Sequence, residues 1–121
     1  MAVDPHIAES LAVSYGAEDF YGPYELLWGL NSHYPNEADE EKRAVAEAAL
    51  RRLVTEGLVE LHECDTGPPY ESPIPTPSAL EAISEPTFWL TPAESGNPPF
   101  YWFASTPAGE EALREGRFKS L

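Results

Sequence analysis

The chain has a single cysteine, Cys64, which excludes an internal disulfide and a multi-cysteine zinc site. No apolar run approaches the roughly eighteen residues that a membrane helix needs. The N-terminus lacks the charged-then-apolar pattern of a secretory leader, so a cytoplasmic location is expected. Positive charge is scarce. Seven Lys and Arg stand against twenty-one Asp and Glu, giving a formal net charge of −14. That balance disfavours nonspecific nucleic-acid binding, which depends on cations neutralising phosphates. The glycines form neither GxGxxG nor GxxxxGK[ST], and no Gly-x-Ser-x-Gly elbow occurs, so phosphate-loop and serine-hydrolase chemistry have no support. His6, His33 and His62 lie far apart in the sequence. His62, Cys64 and Asp65 are close together but lack a second ligand pair. Cys64 sits between Glu63 and Asp65, which disfavour a thiolate. No catalytic residue, metal or cofactor is expected.

The 121 residues make one domain by length, and 42% hydrophobic residues are enough for one packed core. The cations are segregated. Lys42, Arg43, Arg51 and Arg52 lie in one stretch, and Arg114, Arg117 and Lys119 near the end. Between Leu53 and Leu113 there is no Lys or Arg, yet ten acids. Such a field either keeps the molecule soluble by self-repulsion or draws a basic partner to it.

Helix signals punctuate the first half. Asp4 is a good N-cap with Pro5 at the first helical position, and Gly16 offers a stop. A second helix is expected from about Pro23 to His33, with Tyr24, Leu27, Trp28 and Leu30 as a core-facing stripe. A third runs from near Glu37 to Gly57, acidic at its start and cationic in its middle, which suits the helix dipole. Val45, Ala49, Leu50, Leu53 and Val54 form its apolar stripe, and Glu47 is spaced to pair with Arg51. No Gly or Pro falls between Glu37 and Glu56, so the second and third helices are either fused or joined by a subtle bend. Leu58 to Glu63 reads as a strand.

Nine of the thirteen prolines fall between Asp65 and Pro99, a density that excludes a long regular element. Pro77 to Ile83 suits one or two helical turns. Thr87 to Leu90 suits a short edge strand or an apolar latch, and Glu94 to Pro98 a turn. Phe100 to Ala104 is the most β-like run, followed by Thr106 as N-cap and Pro107 opening a last helix. Three Trp, six Tyr and five Phe exceed the needs of one small core. Either the insertion folds back so that Trp89 covers the sheet, or an aromatic face stays exposed as an interface.

Leu50-x-x-Leu53-x-x-x-Gly57-Leu58-Val59 resembles the end of the third helix and the first wing strand of winged-helix domains. Tyr101-Trp102-Phe103-Ala104-Ser105-Thr106-Pro107-Ala108-Gly109-x-x-Ala112-Leu113 resembles the second wing strand and following helix of regulators of the PadR and MarR type. The resemblance covers roughly residues 22–63 and 100–115. It implies an α+β, winged-helix-like fold: three N-terminal helices, a two- to three-stranded antiparallel wing sheet and a C-terminal helix. Residues 1–121 then form a single domain with a proline-rich wing insertion at about 65–99.

Function departs from the family pattern. The stretch corresponding to the DNA-reading helix, Glu47 to Arg52, has two cations and no Asn or Gln, and the wing has no Lys or Arg. The reading that follows is a non-catalytic acidic domain that binds a basic protein, with a homodimer left open and no membrane contact. An immunity protein blocking a basic toxin, a DNA-mimicking inhibitor and a regulatory adaptor all fit this charge. The candidate interface residues are Glu56, Glu60, Glu63, Asp65, Glu71, Glu81, Glu85 and Glu94 for charge, with Tyr70, Trp89 and Tyr101 as aromatic anchors. The resemblance implies the alternative, a dimeric DNA-binding transcriptional regulator in which Lys42, Arg43, Arg51 and Arg52 converge on phosphates.

Overall fold

A computed structural model describes residues 3–64, 73–96 and 98–118. Three helices come first: α1 (Pro5–Glu18), α2 (Pro23–His33) and α3 (Asp39–Thr55). Strand β1 (Val59–Cys64) follows. Then come α4 (Thr76–Ile83), a 3-10 turn (Pro86–Trp89) and α5 (Pro92–Ser95). Strand β2 (Phe100–Ser105) and α6 (Pro107–Arg114) complete an α+β architecture.

The local signals for helix starts operate as expected. The Asp4 carboxylate accepts from the His6 N–H, and the Thr106 hydroxyl from the Gly109 N–H. Each satisfies a backbone donor that the first turn leaves unpaired. Helices α2 and α3 are not fused, because residues 34–38, with Pro35, turn between them. Pro35 has no N–H to continue α2. Nor does α1 stop at Gly16. It continues to Glu18, and Gly16 serves packing instead: a Cβ there would lie 2.6 Å from the Ser105 backbone N. At the other end of α3, Gly57 adopts φ +75°, and this left-handed step turns the chain from helix into β1.

The two strands pair antiparallel, with Leu61 opposite Phe103 and Glu63 opposite Tyr101. An isolated bridge between Tyr21 and Phe103 adds a short third arm from the link between α1 and α2. Alternation along the strands puts Leu61, Glu63, Tyr101 and Phe103 on one face. Leu61 and Phe103 are fully buried there, beneath Val13, Leu26, Leu30, Leu50 and Leu53 from the three helices. Each such side chain contributes about 1.5–3 kcal/mol by leaving water.

The insertion makes only short elements, as its prolines require. Of the two forms expected for Thr87 to Leu90, the edge strand is absent and the apolar latch is present: Pro86 opens a tight turn that drives Phe88 and Trp89 into the core. The Trp89 indole N–H donates to the Ile83 carbonyl at 3.1 Å. The insertion therefore folds back over the helices, and Phe88 packs on Tyr101 with ring centroids 5.2 Å apart.

Candidate functional site

Helix α4 is docked on two sides. At its N-terminal approach the Ile74 N–H donates to the Leu61 carbonyl at 2.9 Å, tying it to β1. Towards its C-terminus Arg51 of α3 donates to the Leu80 carbonyl at 3.2 Å and to the Ser84 hydroxyl. Between α4 and the sheet lies a groove of about 350 Å³. Ser78, Glu81, Ala82 and Glu85 line one wall. Their 3-4-7 spacing is one face of a helix continued by a turn. Glu63 and Tyr101, directly opposite each other in the sheet, line the second wall, and Ile74 and Pro75 complete the lining.

Three carboxylates thus face one groove with no Lys or Arg in its lining. Among the described residues none of Glu63, Glu81 and Glu85 has an ion-pair partner. Tyr101 registers that field. Burial, then the charges of Glu63 and Glu85, then a hydrogen bond to Glu63 raise its phenol above the ordinary 10.0. The site can take up positive charge, and its apolar lining can hold an aliphatic stem. No three His, Cys, Asp or Glu among the described residues are grouped to hold a metal ion.

The other expected interface residues lie elsewhere. Glu56 accepts from Arg52 at 2.9 Å and from Arg117, and these bonds hold its carboxyl below the ordinary range. Glu60 lies on the opposite strand face, 2.7 Å from the His62 Nε2. Glu94 closes a capping box with Thr91 at the start of α5. Trp89 is 4% exposed, so it is a core residue and not the exposed anchor expected. Its edge reaches a second groove, of about 330 Å³, between α2 and the 3-10 turn. Asp65, Tyr70 and Glu71 lie outside the described residues.

That second groove holds the aromatic residue that the sequence reading misplaced. Trp28 is not on the core face of α2; it is 56% exposed, while Leu26, Gly29 and Leu30 are buried. Only Leu90, 38% exposed, joins it as an exposed large hydrophobic among the described residues, and both line this groove. Tyr24 packs edge-on against Trp28 at 5.0 Å.

The four cations assigned to DNA binding are engaged internally. Lys42 is buried, donating to the Tyr34 carbonyl at 3.2 Å with Asp39 at 3.5 Å. Arg43 lies over the Trp89 ring at 5.2 Å and pairs with Glu47 at 3.7 Å. Arg51 pairs with Glu47 at 3.4 Å, the expected spacing, besides holding α4. Arg52 bridges Glu9 at 3.3 Å and Glu56 at 2.9 Å. Comparison of the chain with protein families, with curated proteins and with solved structures finds no match.

Proposed function

We propose that this chain is a non-catalytic, winged-helix-like domain that binds a basic protein through the acidic groove between α4 and the sheet. One observation carries the reading: Glu63, Glu81, Glu85 and Tyr101, expected at an interface from sequence, come from separate elements to line one groove without a cation. A partner's Lys or Arg entering it gains Coulomb energy from three carboxylates, and the −14 net charge steers its approach.

The winged-helix part rests on element order, on the Tyr21 arm pairing with Phe103, and on the Gly57 and Thr106-Pro107 steps flanking the strands. DNA binding has less support. The winged-helix reading makes α3 the DNA-reading helix, and α4 packs against it while Arg51 is spent holding α4. An immunity or inhibitor role, or that of a regulatory adaptor, follows from the same groove.

Capture from native-host extract at low salt, with and without nuclease, tests the reading. A basic protein retained after nuclease treatment, and lost by the E63Q/E81Q/E85Q variant, is the expected result. Specific duplex DNA, removed by nuclease and held equally by that variant, overturns it.

A further inference from the structure

The acidic groove is flanked along the chain by the aromatic one. Glu85 lines the first, and Pro86, the next residue, lines the second. The 3-10 turn that carries Phe88 and Trp89 into the core therefore lies between two concave surfaces of similar size, one whose charged lining is all carboxylate and one that carries both large hydrophobics exposed among the described residues. The second groove presents Trp28 and Leu90 to solvent, although burying them would be favourable.

Charge selects the occupant. The groove's charged lining is Asp39, Glu94 and Arg43. Arg43 is occupied by the Trp89 face and Glu47. The Asp39 side chain is 96% exposed, and the Lys42 facing it is 5% exposed. The lining carries two carboxylates to one cation, so an approaching chain meets a net negative charge. A second copy of this protein, itself at −14, is repelled from such a rim, whereas a basic segment is attracted.

We propose that the groove between α2 and the 3-10 turn docks a segment of a basic protein through one large aliphatic or aromatic side chain, seated between Trp28 and Leu90, with Lys or Arg a few residues away. The inference rests on the acidic-groove reading for the flanking cation, which enters among Glu63, Glu81 and Glu85. It adds the apolar anchor, which that reading does not require. Trp is a common hot-spot residue because a large rigid ring loses little entropy on burial. Carboxylates around the anchor steer its approach and set the partner's sign.

Selection from a phage library of random 12-residue peptides on the immobilised chain tests the inference. The expected consensus is one large apolar residue with Lys or Arg nearby. A synthetic peptide of that consensus should bind at least tenfold more weakly to both W28S and E63Q/E81Q/E85Q by isothermal titration. W28S should keep the wild-type circular dichroism and Tm, and L90S gives an independent check on the same groove. Peptides that are merely basic and bind W28S and L90S as well as wild type overturn the apolar anchor and leave the acidic-groove reading standing. Peptides that need Trp28 but carry no cation and ignore E63Q/E81Q/E85Q overturn the basic occupant and count against that reading as well. No enrichment over an unrelated acidic protein overturns the inference.

Discussion

Replacing Arg51 by Met separates the two roles open to that residue. In the folded chain its guanidinium donates to the Leu80 carbonyl and the Ser84 hydroxyl, and pairs with Glu47. Hydrogen bonds from a charged donor are worth about 1.5–3 kcal/mol each when shielded. The Arg51 side chain is 38% exposed, so solvent screening cuts that to roughly 0.5–1 kcal/mol each. The Glu47 pair adds about 0.3–0.5 kcal/mol. Met keeps most of the apolar stem, so the loss is that of the polar contacts alone, about 1.5–2.5 kcal/mol. For a chain of this length that lowers Tm by roughly 3–10 °C. The loss should be local as well as global, since these bonds hold α4. Amide exchange in α4 should quicken more than in α1 or α3. Urea unfolding followed by circular dichroism, with hydrogen exchange read by mass spectrometry, measures both. A residue kept free to contact phosphate would contribute nothing to folding. R51M with wild-type stability and unchanged α4 exchange would therefore refute the strut and revive the DNA role.

Phe103→Ala deletes a fully buried ring from the centre of the core and should cost about 3–5 kcal/mol in urea unfolding; a loss under about 1 kcal/mol contradicts the assigned packing. Gly16→Ala sets a Cβ 2.6 Å from the Ser105 backbone and should destabilise by about 1–3 kcal/mol in the same assay, against the gain that helix propensity alone predicts. The Tyr101 phenol is held above 10.0. As pH rises past 10.0 the unfolded chain loses that proton first, so stability should fall towards the folded value. In ultraviolet titration E63Q should lower the Tyr101 value but not restore it fully, since burial is the larger cause. Glu56 has the opposite sign. Its carboxyl is depressed below 4.5 by Arg52 and Arg117. The stability it supplies is present above 4.5 and lost as pH falls through the depressed value. E56Q should flatten that part of the pH–stability curve, and an unchanged curve refutes the clamp.

Legibility followed the range of each signal. Helix starts at Asp4-Pro5, Pro23 and Thr106-Pro107 are set within a few residues, and so is the turn at Gly57. The alternation of β2 fixed which of its aromatics share a face. Trp28 was misplaced because Tyr24, Leu27, Trp28 and Leu30 span more of α2 than the core covers. The buried strip is Leu26, Gly29 and Leu30, and where it lies depends on the elements packed on α2. Thr87 to Leu90 suits either an edge strand or an apolar latch by sequence, and Pro86 with the demand for core volume selects the latch. Of the candidate site, the Ser78-Glu81-Ala82-Glu85 face was within reach, since helical turns were expected there and the spacing is periodic. Its juxtaposition with Glu63 and Tyr101 was not, because that depends on α4 docking between α3 and the sheet. The same docking turned Arg51 from a candidate phosphate contact into a strut.

The most direct measurement is the association rate of the captured basic protein with wild type and with E63Q/E81Q/E85Q as salt rises. Raising ionic strength from about 0.01 to 1 M shortens the Debye length from about 30 to 3 Å. The acidic groove predicts a wild-type rate that falls steeply with salt and a variant whose rate is slower at low salt and falls less steeply, the rest of the net charge still steering it. Identical rates and slopes for the two proteins would contradict the groove as the place where the partner's charge is read.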